Sequence, residues 1–141
     1  MIIGLDFDGS CCFHKFPEIG EEIPHCISSL KQLQAAGHKI VLNTMRSDGR
    51  SEFDKNEVIQ PANPLKEAVS WLKVRGIELY WVNREPNQES WTSSPKVYAN
   101  YYIDDAAIGC PIIYPLDGSR PYVDWLKVMK ILKERETVEW K

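Results

Sequence analysis

The first apolar run, Ile2, Ile3 and Leu5, stops at Asp6, and a second carboxylate, Asp8, follows two residues on. That run reads as a buried strand. Ile27, Leu30 and Leu33 then recur at helical spacing between Pro24 and Gly37, which predicts a helix over 24–36. Ile40, Val41 and Leu42 form a short apolar strand ending in the polar stretch that begins Asn43-Thr44. A second helix is predicted from Asn63 as cap and Pro64 as first residue, with Leu65, Ala68, Val69 and Leu72 as its stripe and Gly76 as its stop. Residues 79–82 read as a third strand, 83–95 as a Pro-, Ser- and Asn-rich loop, and 101–103 as a fourth strand that stops at two more acids, Asp104 and Asp105. Ile112 and Ile113 predict a short fifth strand. The last helix is expected from near Pro121, with Tyr122, Trp125, Leu126, Met129 and Leu132 on its buried side.

Strands alternating with helices imply an α/β fold, a three-layer sandwich around a central parallel sheet, in one domain over 1–141. In such folds the chemistry collects at the carboxyl ends of the strands. That rule brings Asp6 and Asp8, Thr44, and Asp104 with Asp105 onto one sheet edge. Close carboxylates repel one another and resist desolvation, so a bound cation is the natural way to hold them together. An all-oxygen donor set suits magnesium, whereas zinc would want His or Cys, and magnesium in proteins usually meets phosphate.

Composition narrows the partners. A formal net charge of -3 with no block of Lys and Arg argues against a nucleic-acid binder. Cys11, Cys12, Cys26 and Cys110 lack Cys-x-x-Cys spacing and are expected to be reduced thiols; no base at a recognisable spacing marks one as a nucleophile. The opening MIIGL reads as neither a signal segment nor a membrane span, so a cytoplasmic protein without a membrane partner is expected.

The order Asp6-Phe7-Asp8-Gly9-Ser10, Leu42-Asn43-Thr44, Lys96, Ile103-Asp104-Asp105 resembles the four motifs of the haloacid dehalogenase superfamily of phosphohydrolases. The resemblance spans strand one to strand four and implies a Rossmann-like fold. It also implies a magnesium-dependent phosphatase in which Asp6 attacks phosphorus to form an aspartyl-phosphate, and Asp8 serves as general acid and then general base. Thr44 would donate to a phosphoryl oxygen, and Lys96, with Arg84 as a weaker rival, would offset charge. Asp6, Asp8, Asp104 and Asp105 would surround the metal. Gly9, Ser10 and Arg46 are expected to contact substrate. Ser10 departs from the Thr or Val more usual at its position but keeps a hydroxyl. His14, in the loop after the first motif, is a weak candidate for substrate contact.

Neither the gap from Asp8 to Pro24 nor that from Val82 to Lys96 has room for a cap domain, which needs roughly 50 residues, so a capless member is implied. An open site calls for a large phosphorylated substrate, or for a lid from a second copy in a homo-oligomer; within the chain, residues 46–62 are the lid candidate, with Arg46, Arg50 and Lys55 among its charges. Trp81, Trp91 and Tyr98 are expected mostly in the core. The alternative reading is a phosphate-sensing or phosphoacceptor module without turnover. A receiver domain places its acid pair first and its acceptor Asp two strands later, whereas here Asp-x-Asp comes first and Asp-Asp last. A silent relative would be expected to lack Asp6 or Asp8, a dehalogenase would not need the metal acids, and a mutase would need a site closed to water.

Overall fold

In the computed structural model of the chain, residues 1–49 and 63–139 are described. Strands β1 (Ile2–Leu5), β2 (Lys39–Leu42), β3 (Leu79–Val82) and β4 (Tyr101–Ile103) form a parallel sheet in the order β3-β2-β1-β4. With helices α1 (Cys26–Ala35), α2 (Pro64–Val74) and α3 (Trp125–Glu139) flanking it, the fold is α/β, a Rossmann-like three-layer sandwich, as the alternation implied. Leu5 pairs in register with Leu42 on one side and Ile103 on the other, so the three strands end level. The residues that follow them therefore share one edge. The chain steps from β1 to β2 to β3 in one direction and then returns to the far side of β1 as β4, which makes the gap between β1 and β4 the topological switch point, where open α/β sheets place ligands.

Alternate strand residues decide the core. Ile3, Leu5, Ile40, Leu42 and Ile103 point to one face and join Leu30 and Leu33 of α1, Ala68 and Leu72 of α2, and Val128 and Leu132 of α3 in one buried cluster. On the opposite face side chains lie against the strand: a Cβ on Gly4 would lie 2.8 Å from Tyr102 Cδ1 and 3.3 Å from Ala99 Cβ, so glycine fits there and a larger residue would displace the tyrosine ring. The segment leading to β4 is organised by the buried Gln88, whose amide donates to the Ser94 and Lys96 carbonyls while its oxygen accepts from the Glu85 and Tyr98 N–H groups.

Several expectations need correction. The last helix begins at Trp125 rather than near Pro121, because Tyr122 and Val123 are drawn into a strand, β6 (Tyr122–Val123), antiparallel to β5 (Ile112–Ile113) in a separate two-stranded sheet. Helical phase from Trp125 then puts Val128 in the core and leaves Leu126 61% exposed. The first helix begins two residues after Pro24, behind His25 at φ 67°. At α2, Asn63 occupies the cap position without a capping side-chain bond; Asp48 Oδ1 instead accepts from the Leu65 and Lys66 N–H groups at 3.1 and 3.2 Å, reaching across from the segment after β2. Trp81 and Trp91 are half or more exposed, Tyr98 is exposed too, and the Trp91 and Tyr98 rings meet edge to face outside the core. The lid candidate falls mainly on residues 50–62, Arg50 and Lys55 included, which lie outside the described residues. Among the described residues no helix is long and apolar enough to cross a membrane.

Candidate functional site

Asp6 leaves β1 and Asp104 and Asp105 leave β4, so the level register of Leu5 and Ile103 sets the two acidic stretches side by side; the Asp6 N–H still donates to the Ile103 carbonyl at 3.0 Å. Carboxylate oxygens of Asp6, Asp104 and Asp105 all lie within 4.8 Å of one another. Oxygens on opposite sides of a magnesium ion stand about 4.2 Å apart and those around calcium about 5 Å, so the triad has the size and the donor chemistry for a hard cation. Burial and the nearby Asp104 carboxylate push the Asp6 carboxyl up to about 8, with Asp105 adding to the rise and the Ser10 hydroxyl opposing it. Three acids brought together this closely are costly to ionise without a counter-charge.

The turn after β1 builds the floor of this site. The Ser10 hydroxyl donates to Asp6 Oδ2 at 2.9 Å and accepts from the Asp105 N–H at 3.3 Å, linking the two acidic stretches, while the indole N–H of Trp125 donates to the Ser10 carbonyl at 2.7 Å. Ser10 is fully buried, so the expected contact with substrate is corrected: its hydroxyl orients Asp6. Gly9 is corrected likewise. Its N–H donates to the Cys12 carbonyl, its own carbonyl accepts from the Val123 N–H, and it is buried. Its φ of 83° and its packing explain the residue type, since a Cβ there would collide with His14 Nε2 and Asp105 Oδ2.

Asp8 does not join the triad. Both its oxygens face Arg46, Nε donating to Oδ2 and Nη2 to Oδ1 at 2.8 Å each. The other three guanidinium hydrogens go to the carbonyls of Pro17, Pro64 and Glu18 at 3.2, 3.2 and 2.8 Å, with the rings of Phe7 and Phe16 each 5.1 Å from the charge. Arg46 is 2% exposed and every donor it owns is used within the chain. The expectation that it grips substrate is therefore corrected, as is direct metal ligation by the Asp8 carboxylate. Asp8 keeps a side-chain exposure of 17%.

Thr44 stands after β2 as expected. Its N–H donates to Asn83 Oδ1 at 2.8 Å and its Oγ accepts from the Arg46 N–H at 3.1 Å, which leaves the hydroxyl hydrogen available to donate. Asn83, at φ 53°, also donates its N–H to the Leu42 carbonyl and so clamps the turn that presents Thr44, a role no local sequence signal marked. Lys96 is not brought to the acids. Gln88 holds its backbone, and its exposed side chain lies with Nζ 5.4 Å from the Tyr102 ring centroid, without an ion pair to a described carboxylate. Arg84 pairs with Glu89 on the surface.

His14 is the residue that sequence reasoning undervalued. Its Nε2 stands 2.7 Å from Asp105 Oδ2, both side chains largely buried, through a contact spanning 91 positions that a lone His could not announce. The thiols stay in the background. Burial and then Asp8 push Cys12 up to about 12, and burial pushes Cys11 well above the usual thiol range, so neither offers a thiolate.

No protein-family model matches the sequence, and no curated protein matches it. Among solved structures, the chain is similar to a conserved protein from Bacteroides thetaiotaomicron, with 32% sequence identity and a TM-score of 0.70 over 96% of this chain and 91% of that one. Identity at that level, sustained over nearly the whole of both chains, means that the protein belongs to the same family as this conserved Bacteroides thetaiotaomicron protein.

Proposed function

We propose that the protein is a magnesium-dependent phosphatase of the haloacid dehalogenase type, hydrolysing a phosphate ester or anhydride through an aspartyl-phosphate on Asp6. The observation that carries the reading is the acid triad of Asp6, Asp104 and Asp105 at the switch point between β1 and β4, where burial leaves the carboxylates short of counter-charge. Magnesium held there by the triad would supply that charge and draw electron density from the phosphoryl oxygens.

In the first step a carboxylate oxygen of Asp6 forms a bond to phosphorus as the bond to the leaving oxygen breaks, and Asp8 hands that oxygen a proton. In the second, the Asp8 carboxylate takes a proton from water, the water oxygen bonds to phosphorus, and the Asp6 carboxylate leaves with its electron pair, releasing inorganic phosphate. Ser10 keeps Asp6 aimed throughout by the bond to Oδ2. Thr44 donates its free hydroxyl hydrogen to a phosphoryl oxygen. Arg46 fixes Asp8 in one orientation, which favours proton transfer only to an oxygen placed opposite its exposed side.

Binding of phosphate without turnover is the second reading, favoured by that same clamp, since Asp8 has to exchange protons while both its oxygens accept from Arg46. Hydrolysis of an aryl phosphate with magnesium and with chelator separates the two. Metal-dependent turnover lost in Asp6→Asn and in Asp8→Asn is the expected result. Magnesium binding without turnover of any phosphate ester favours the second reading.

A further inference from the structure

His14 links the acid triad to a groove. One edge of its ring meets Asp105 in the triad, and the ring also lines a groove of about 580 Å3 between residues 13–21 and helix α2. Opposite residues 13–21 stand Trp71 and Arg75, with the Arg75 guanidinium 3.8 Å from the Trp71 ring centroid and its Nη1 donating to the Trp71 carbonyl at 3.1 Å. Phe7 braces Trp71 edge to face at 5.5 Å, and Tyr122 braces Phe13 in the same way at 4.9 Å. Four planar side chains, Phe13, His14, Trp71 and Arg75, thus line one groove, two of them packed edge to face against further rings. Its volume falls within the range of about 300 to 1,000 Å3 typical of small-ligand sites.

We infer that this groove is the leaving-group subsite, taking an aromatic or heteroaromatic group whose phosphate lies at the triad, with His14 at the junction between the two. This rests on the phosphatase reading for the identity of the bound group, and the groove extends that reading to a substrate class. Flat, braced surfaces bind rings by stacking and lose little conformational freedom in doing so. Besides its contacts with Trp71, Arg75 makes among the described residues only an ion pair with Glu22 at 3.4 Å, an exposed pair of little energetic weight that a bound ring can displace. Residues 13–21 contribute a closely fitted backbone, because a Cβ on Gly20 would run into the Phe13 carbonyl.

Phosphonates test the subsite without needing turnover. With magnesium present, benzylphosphonate is expected to bind the full-length protein at least tenfold more tightly than cyclohexylmethylphosphonate, measured by calorimetry. The ratio is expected to fall below threefold in Arg75→Ala, a partly exposed position at the end of α2, and in His14→Ala. Equal binding of the two phosphonates, no binding of either, or an unchanged ratio in both variants overturns the subsite. A retained aromatic preference in a protein that hydrolyses no phosphate ester would leave the subsite standing and count against the phosphatase reading alone.

Discussion

Arg46 and Asp8, 38 positions apart, meet through two parallel N–H to oxygen bonds of 2.8 Å, and the arginine is so placed that its three remaining hydrogens all reach backbone carbonyls. A fork of that kind needs the planar geometry of guanidinium. It joins the turn after β1, the segment after β2 and the first residue of α2 at a single buried charge.

Arg46→Ala should therefore destabilise the protein by about 3 to 5 kcal/mol, because it leaves Asp8 without its charge partner and removes the N–H donors that reach the carbonyls of Pro17, Glu18 and Pro64. Arg46→Lys should recover only a minor part, since an ammonium cannot supply the fork. Urea unfolding checks both, and a loss below about 1 kcal/mol in Arg46→Ala would show that the clamp is not a stabilising element.

The Asp6 carboxyl, raised from 3.8 to about 8, holds its proton more tightly in the folded protein than in the unfolded chain. Its contribution to stability is then full below pH 4 and is lost as pH rises toward 8. In chelator, the wild type should lose stability over that window relative to Asp6→Asn, whose amide carries no charge to desolvate. The difference between the two proteins should reach a few kcal/mol at pH 8, and a difference that does not change with pH would remove the burial argument.

Cation binding should reverse that penalty. Magnesium at a hundred times its Kd is expected to raise stability by about 2.7 kcal/mol, and Asp104→Asn or Asp105→Asn to reduce the gain. Because the liganded site is ionised and the empty one holds a proton on Asp6, the affinity should climb with pH and level off above about 8. Thermal unfolding in magnesium and in chelator at pH 6 and pH 8.5 measures both effects.

Gly9→Ala should do more harm than its small volume implies. The new methyl group would occupy the space of His14 Nε2 and Asp105 Oδ2 at a backbone angle that disfavours any side chain. Magnesium affinity is expected to fall at least tenfold as Asp105 is displaced, and calorimetry at constant pH reads the change. A variant that binds magnesium as the wild type does would show that the contact between His14 and Asp105 is dispensable to the site.

The sequence by itself determined the layout: apolar runs at 2–5, 40–42, 79–82 and 101–103, broken by Pro- and Gly-bounded helices, leave little choice but a parallel α/β sheet with Asp6, Thr44 and Asp104 at one edge. Periodicity is a local property, and it was readable wherever a segment packs against the core over several turns or pairs with a neighbouring strand. It misplaced the start of α3, because Tyr122 and Val123 fit either a helical stripe or a strand and only pairing with Ile112 and Ile113 chose between them. Which polar groups meet was a tertiary decision. Asp8 and Asp6 stand two residues apart, yet the turn at Gly9 and Ser10 sends one to a buried arginine and leaves the other in an acid triad. Chain order alone points to Lys96, which lies against Tyr102, while His14, with no motif around it, reaches Asp105 across 91 positions. A spacing pattern encodes the direction a strand delivers its residues, whereas the partner of a charge depends on which distant segment the fold brings within about 3 Å of it.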